Sequence, residues 1–156
     1  MVGVNTLIPN KLVKKSIIDG EVPELSGYQD IRAEVKYGQN SRIDILLENG
    51  KDRWFVEIKN VTYVEDHIAC FPDAVTTRGL KHLHELQEEV AKGNRSVMFY
   101  LIQRMDAKLF RPAGHIDPEY AKELLKAVHN GVEILVYDVT LDPEGIRLNH
   151  ALPYEM

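Results

Sequence analysis

Two acids and an amine stand out for the chemistry they can do together. Asp44 lies in the run Ser41-Arg42-Ile43-Asp44-Ile45-Leu46-Leu47, and Glu57 and Lys59 lie in Trp54-Phe55-Val56-Glu57-Ile58-Lys59. Carboxylates brought close together repel unless a cation or a proton sits between them. A hard divalent ion, Mg²⁺ or Mn²⁺, accepts one or two carboxylates and fills its shell with water and phosphate oxygens. An amine two residues beyond the second acid lies beside such an ion, where it can position or help deprotonate an attacking water. The reaction implied is metal-dependent hydrolysis of a phosphodiester, with Asp44 and Glu57 as metal ligands and Lys59 as the third catalytic group. The same residues also fit a solvated strand face with an ordinary Glu–Lys pair, so the reading depends on the elements that hold them.

Those elements form a hairpin. Arg42 to Glu48 alternates and is rich in Ile and Leu, Asn49-Gly50 is a strong turn signal, and Trp54 to Thr62 is the returning strand. A two-residue loop at Asn49-Gly50 sets Asp44 opposite Phe55, and a four-residue loop from Asn49 to Asp52 sets Asp44 opposite Glu57. Either register puts Asp44, Glu57 and Lys59 on one face with Leu46 and Phe55. Ile43, Ile45, Leu47, Trp54, Val56 and Ile58 then share an apolar face. Charges that share a face with Leu46 and Phe55 are partly desolvated, which favours perturbed ionisation.

Around the hairpin the spacing predicts a helix over Pro9–Asp19 with Asn10 as candidate N-cap, and a strand over Ala33–Tyr37. A long helix is predicted over Asp73–Gly93, with Leu80, Leu83, Leu86 and Val90 inward and Lys81, Glu85, Glu88 and Glu89 outward. A strand buried on both faces follows over Ser96–Gln103, then a helix over Pro118–Asn130, a strand over Val132–Val139 and a short edge strand over Ile146–Leu148. The order αβββαβαβ gives a mixed central sheet flanked by helices in an α/β fold. The chain reads as one domain over residues 1–156, with residues 1–30 as a helical lead-in.

Composition bounds the function. The 156 residues carry 24 acids and 19 Lys or Arg, for a formal charge of −5. Eight of the acids but only three of the bases lie between Ile116 and Met156, so the body before them is neutral and able to carry a local basic groove. Candidate nucleic-acid contacts are Arg42 beside Asp44, Arg78 at the start of the long helix, and Arg104, Lys108 and Arg111 beyond the buried strand, where ligands gather at strand carboxyl ends. Glu34, on the strand before Asp44, is a candidate third metal ligand, with a surface strand position as the alternative. The six histidines are scattered and read as ordinary; His82 and His84 lack the i, i+4 spacing of a metal helix. One cysteine, Cys70, fits a reducing cytoplasm, the N-terminus has no signal-peptide pattern, and no apolar run reaches membrane-helix length. Oligomeric state is not readable.

Asp44, then Glu57-Ile58-Lys59, resembles the core of the PD-(D/E)XK nuclease superfamily, with Ile43 where the namesake proline would stand. A more specific resemblance spans nearly the whole chain: Val2-Gly3-Val4-Asn5-Thr6 with Pro9-Asn10, Tyr37-Gly38-Gln39-Asn40-Ser41-Arg42-Ile43-Asp44, Val56 to Thr62, Phe71-Pro72-Asp73-Ala74-Val75-Thr76-Thr77-Arg78-Gly79, Gln103-Arg104-Met105-Asp106-Ala107, Phe110-Arg111-Pro112 and Ile116-Asp117-Pro118. These stretches are similar to the sugar fermentation stimulation protein A family. The resemblance implies a restriction-endonuclease-like core in a cytoplasmic protein that binds DNA without marked sequence preference and is linked to control of sugar utilisation. It also implies an OB-like domain ahead of the nuclease-like one. That module is not found in these residues, and its absence lowers the expected affinity for nucleic acid. Two functions follow: a Mg²⁺-dependent nuclease, or a catalytically silent, non-specific DNA-binding regulator of sugar metabolism.

Overall fold

Strands β2 (Ser41–Asn49) and β3 (Asp52–Val61) form the hairpin. Asn49 pairs with Asp52 and Glu48 with Arg53, which leaves Gly50-Lys51 as the turn and selects the register that aims Asp44 at Glu57. The computed structural model describes residues 7–156, with side chains from Pro9 onward. The Val2–Thr6 stretch lies outside them.

The hairpin supplies the second and third strands of a six-stranded sheet. Strand β1 (Asp30–Tyr37) pairs antiparallel with β2, and β3 pairs parallel with β6 (Arg95–Ile102). Next comes β8 (Glu133–Asp142), parallel to β6, and the sheet ends with β9 (Gly145–Ala151), antiparallel to β8. Parallel neighbours need covered faces, and both faces are covered. Helices α2 (Thr77–Ala91) and α3 (Pro118–His129) bury Leu83, Leu86, Tyr120 and Leu124 against one face. Helix α1 (Leu7–Ile18) and the short 3-10 turn Pro23–Leu25 bury Val13, Ile17 and Leu25 against the other. Each such side chain contributes about 1.5–3 kcal/mol by leaving water. This is the mixed sheet between helices that the sequence predicts.

Four differences matter. A second, three-stranded sheet of β4 (Tyr63–Glu65), β5 (Ile68–Phe71) and β7 (Leu109–Pro112) was not expected; strands of three or four residues are too short to show a period. Helix α2 starts at Thr77, with Thr76 as its cap through a 2.9 Å bond from Gly79 N to Oγ1. Asp117 fixes both helix starts, accepting from Tyr120 N at 3.1 Å and from Thr76 N at 3.0 Å. Asn10 sits inside α1 instead of capping it. Finally, Glu85 and Glu89 face inward, each 5% exposed, because both accept hydrogen bonds from neighbours that pack on α2.

Candidate metal and nucleic-acid site

Asp44 lies at a break in its own strand. Ala33 pairs with Ile45 and Val35 with Ile43, but the intervening Glu34–Asp44 step is unpaired and Glu34 has a φ of 55°. Across this step the side chains change sides. Ile43 joins Leu46 and Phe55 on the α2 face, whereas Ile45 and Leu47 face α1. The expected single apolar face from Ile43 to Ile58 therefore loses Ile43, because alternation holds only where the ladder is unbroken.

On the other side, β2–β3 pairing ends at Ile45–Val56. The Ile58 N–H instead donates to Asp44 Oδ2 at 2.8 Å, so the carboxylate stands in for a ladder carbonyl. Asn10 Nδ2 donates to Asp44 Oδ1 at 3.0 Å. Each oxygen keeps a lone pair, and the carboxylate is held by two elements besides its own.

Glu57 is 3% exposed on the α2 side of β3. Its Oε1 lies 3.9 Å from Lys59 Nζ and 3.5 Å from His82 Nδ1, and Lys59 Nζ lies 2.9 Å from that same ring nitrogen. Its other oxygen, Oε2, is buried with no hydrogen-bond partner among the described residues. The sequence thus brings its three central residues together, and the fold adds His82 and Asn10, which the sequence reading missed.

Burial dominates the electrostatics. It pushes the Glu57 carboxyl well above the usual range, and the Asp44 carboxylate adds to that while Lys59 and Arg78 oppose it. Burial also pushes the Lys59 amine down, against the pull of Glu57 and Asp44. Both members of this pair are therefore displaced toward neutrality, as desolvation requires. His82 is lowered to about 3, by burial first and then by Lys59, Arg78 and Lys81. A neutral imidazole accepting from Lys59 at Nδ1 carries its proton on Nε2. The Tyr37 hydroxyl, buried without a partner among the described residues, is pushed up by burial and by Glu57 and Glu85.

A cleft of about 410 Å³ opens over Asp44, lined also by Glu34, Arg42, Arg78, Lys81 and His82. Arg42 and Arg78 have no ion pair among the described residues. Arg104 is held by Asp106 at 2.6 Å and by the Thr62 carbonyl at 3.3 Å, Arg111 pairs with Glu155 at 2.6 Å, and Lys108 is exposed; none of the three lines the cleft. Of the five sequence-nominated cations, two are at the cleft. Glu34 lines it but does not join the two central acids: among the described residues, no group of three or more His, Cys, Asp or Glu converges as a ready ligand shell. The donor set still fits a hard cation. Adjacent carboxylates, one with a buried and unpartnered oxygen, suit an ion that draws its remaining ligands from water and phosphate.

Comparison with known proteins places the chain. The family model described as the sugar fermentation stimulation protein RE domain matches residues 7–145. The chain belongs to the sugar fermentation stimulation protein family. A homolog in Geotalea uraniireducens is 52% identical over 155 residues, covering 99% of this chain and 67% of that protein. A homolog in Paramagnetospirillum magneticum is 51% identical, covering 100% and 66%. Pyrococcus furiosus SfsA, solved in complex with Ca²⁺, superposes with a TM-score of 0.90 at 30% identity, over 98% of this chain and 66% of that one. This member of the sugar fermentation stimulation protein family thus spans about two thirds of the relatives it matches, and its mixed sheet between helices is the fold of the Pyrococcus furiosus protein. Among its described residues no helix is long and apolar enough to cross a membrane.

Proposed function

We propose that this domain is a divalent-metal-dependent phosphodiesterase acting on nucleic acid, DNA in the first instance, in the cytoplasm. The observation that carries the reading is the unpartnered, buried Glu57 Oε2 beside Asp44, with Lys59 at 3.9 Å. The Ca²⁺ in the Pyrococcus furiosus relative supports a cation here. Asp44 and Glu57 would hold Mg²⁺ or Mn²⁺. When bound, such an ion polarises the phosphoryl group and stabilises the leaving oxygen. Asn10 and the Ile58 N–H fix the Asp44 carboxylate, so little reorganisation is needed on binding. Lys59, displaced toward neutrality, can take a proton from water or hand one on. Arg42 and Arg78 line the approach and would hold the phosphates on either side of the reacting one.

A second reading is a silent DNA-binding domain in a regulator of sugar utilisation. It is favoured by the engagement of both Asp44 oxygens and of Lys59 Nζ with protein partners. One experiment separates the two. Purified protein is incubated with single- and double-stranded DNA and RNA and Mg²⁺ or Mn²⁺, alongside Asp44→Asn and Lys59→Ala. The phosphodiesterase reading expects cleavage that drops about 10²–10⁴-fold in each variant. Cleavage that persists in both places the chemistry elsewhere. No cleavage by the wild type, with DNA binding that survives both changes, favours the silent reading.

A further inference from the structure

Lys59 Nζ stands closer to the imidazole than to the acid: it is 2.9 Å from His82 Nδ1 and 3.9 Å from Glu57 Oε1. The three atoms form a compact triangle, with Nδ1 3.5 Å from Oε1. His82 is 4% exposed, and its helix is anchored in the core by Leu83 and Leu86, so the ring nitrogen is a fixed acceptor. We propose that His82 is a positioning residue: its Nδ1 holds the Lys59 ammonium off Glu57, keeping that carboxylate open to a divalent cation and the amine open to water. The proposal rests on the phosphodiesterase reading for what the amine does, and on geometry alone for how it is held.

Two features of the site support a holding role over mere space filling. The Glu57 oxygen nearest the ammonium and the ring is Oε1, which leaves Oε2 as the buried atom without a partner among the described residues. An ammonium collapsed onto the carboxylate would compete with a cation for those oxygens. Second, α2 supplies the acceptor from the element that also carries Arg78 to the cleft, so one rigid helix sets both the amine and a candidate phosphate contact. A small hydrophobic residue at position 82 would satisfy the core, but it would leave Lys59 to the site's carboxylates, Glu57 first.

The test compares wild type, His82→Leu and His82→Asn. Leucine fills the space without an acceptor, and asparagine places Oδ1 near the position of Nδ1. Ca²⁺ binding is measured by calorimetry and thermal shift, so no turnover is needed, and metal-free crystal structures locate Nζ. In His82→Leu the expected result is Nζ closed to about 3 Å from Glu57 and Ca²⁺ affinity weakened about 10–100-fold. His82→Asn should match wild type in both readouts, and Lys59→Met added to His82→Leu should restore Ca²⁺ binding. Wild-type affinity in His82→Leu, an unmoved Nζ, or an asparagine variant as impaired as the leucine one overturns the proposal. If wild type takes up no Ca²⁺, the phosphodiesterase reading fails by itself, and the position of Nζ in the two variants decides the holding role. Should the leucine variant not fold, His82→Phe takes its place with the same expected closure.

Discussion

A buried imidazole with three cations nearby is a stability switch as well as a hydrogen-bond acceptor. His82 is lowered to about 3 by burial and by Lys59, Arg78 and Lys81, against 6.5 for the free side chain. Below pH 6.5 the unfolded chain takes up a proton that the folded chain refuses, so the unfolded state binds more protons and stability falls as pH drops toward 3. Glu57 has the opposite sign. Its raised value means the folded chain keeps a proton that the unfolded chain releases above about 4.5, so its contribution declines as pH rises from there. Comparing His82→Leu with its parent in a Lys59→Met background isolates the histidine, because no ammonium is then left to close on Glu57. In chelator, urea unfolding from pH 7 to 4 should show a shallower loss of stability in the variant, and parallel curves would contradict a neutral buried His82. Asp44, Glu57 and Lys59 were readable because strand alternation fixes which residues share a face. His82 and Asn10 were not, because they arrive from helices whose docking on the sheet no local pattern encodes. One sign was present: Arg78, His82, Glu85 and Glu89 recur at helical spacing along a single polar stripe.

That stripe also ties α2 to the turn leading into the site. Glu85 accepts from Gln39 N at 2.9 Å and from Ser41 Oγ at 2.6 Å, and Lys81 Nζ donates to the Gln39 carbonyl at 2.6 Å. The turn passes so close that a methyl group on Gly38 would overlap the Glu85 carboxylate, and Gly38 has a φ of 56°. Gly38→Ala therefore meets two costs: left-handed backbone strain of about 1 kcal/mol and displacement of a buried carboxylate from its donors, about 1–3 kcal/mol. Gly50 separates them, having a φ of 66° with nothing within 4 Å of an added methyl. Gly50→Ala should lower the melting temperature by about 2–4 °C and Gly38→Ala by about two to four times that. Equal losses would show that Glu85 swings away without penalty. The sequence placed the long elements because each runs long enough to show its period. It assigned Glu85 and Glu89 to solvent because charge usually marks the wet face, and donors from Gln39 and Ser41 to Glu85 and from Asn94 to Glu89 reversed that rule here. The small second sheet is not legible because its strands are three or four residues long, and its β5–β7 pairing joins residues about forty apart, as in Ile68 with Leu109.

Across the whole molecule, charge distribution decides how this chain can hold a polyanion. The net charge of −5 gives no general attraction, and the acid excess sits after Ile116. Arg104 and Arg111 are neutralised by Asp106 and Glu155. Arg42, Arg78 and Lys81 remain around the cleft above Asp44. Binding carried by three cations is weak and releases few counterions. The logarithm of affinity against the logarithm of salt should then have a slope of about −3 on duplex DNA and about −2 on single strands, at 0.9 and 0.7 per phosphate. The slope also locates the surface. Arg42→Ala and Arg78→Ala should each make it shallower by about one contact's worth, whereas Arg104→Ala and Arg111→Ala should leave it unchanged. Fluorescence anisotropy with a labelled oligonucleotide from 25 to about 200 mM salt, in Ca²⁺ to prevent turnover, measures all five proteins on one scale. A slope that responds to Arg111→Ala and ignores Arg42→Ala would move the nucleic acid to the β7 end of the molecule, away from the two acids. The metal-site reading would then lose its substrate, because a phosphate held there would not be presented to Asp44 and Glu57.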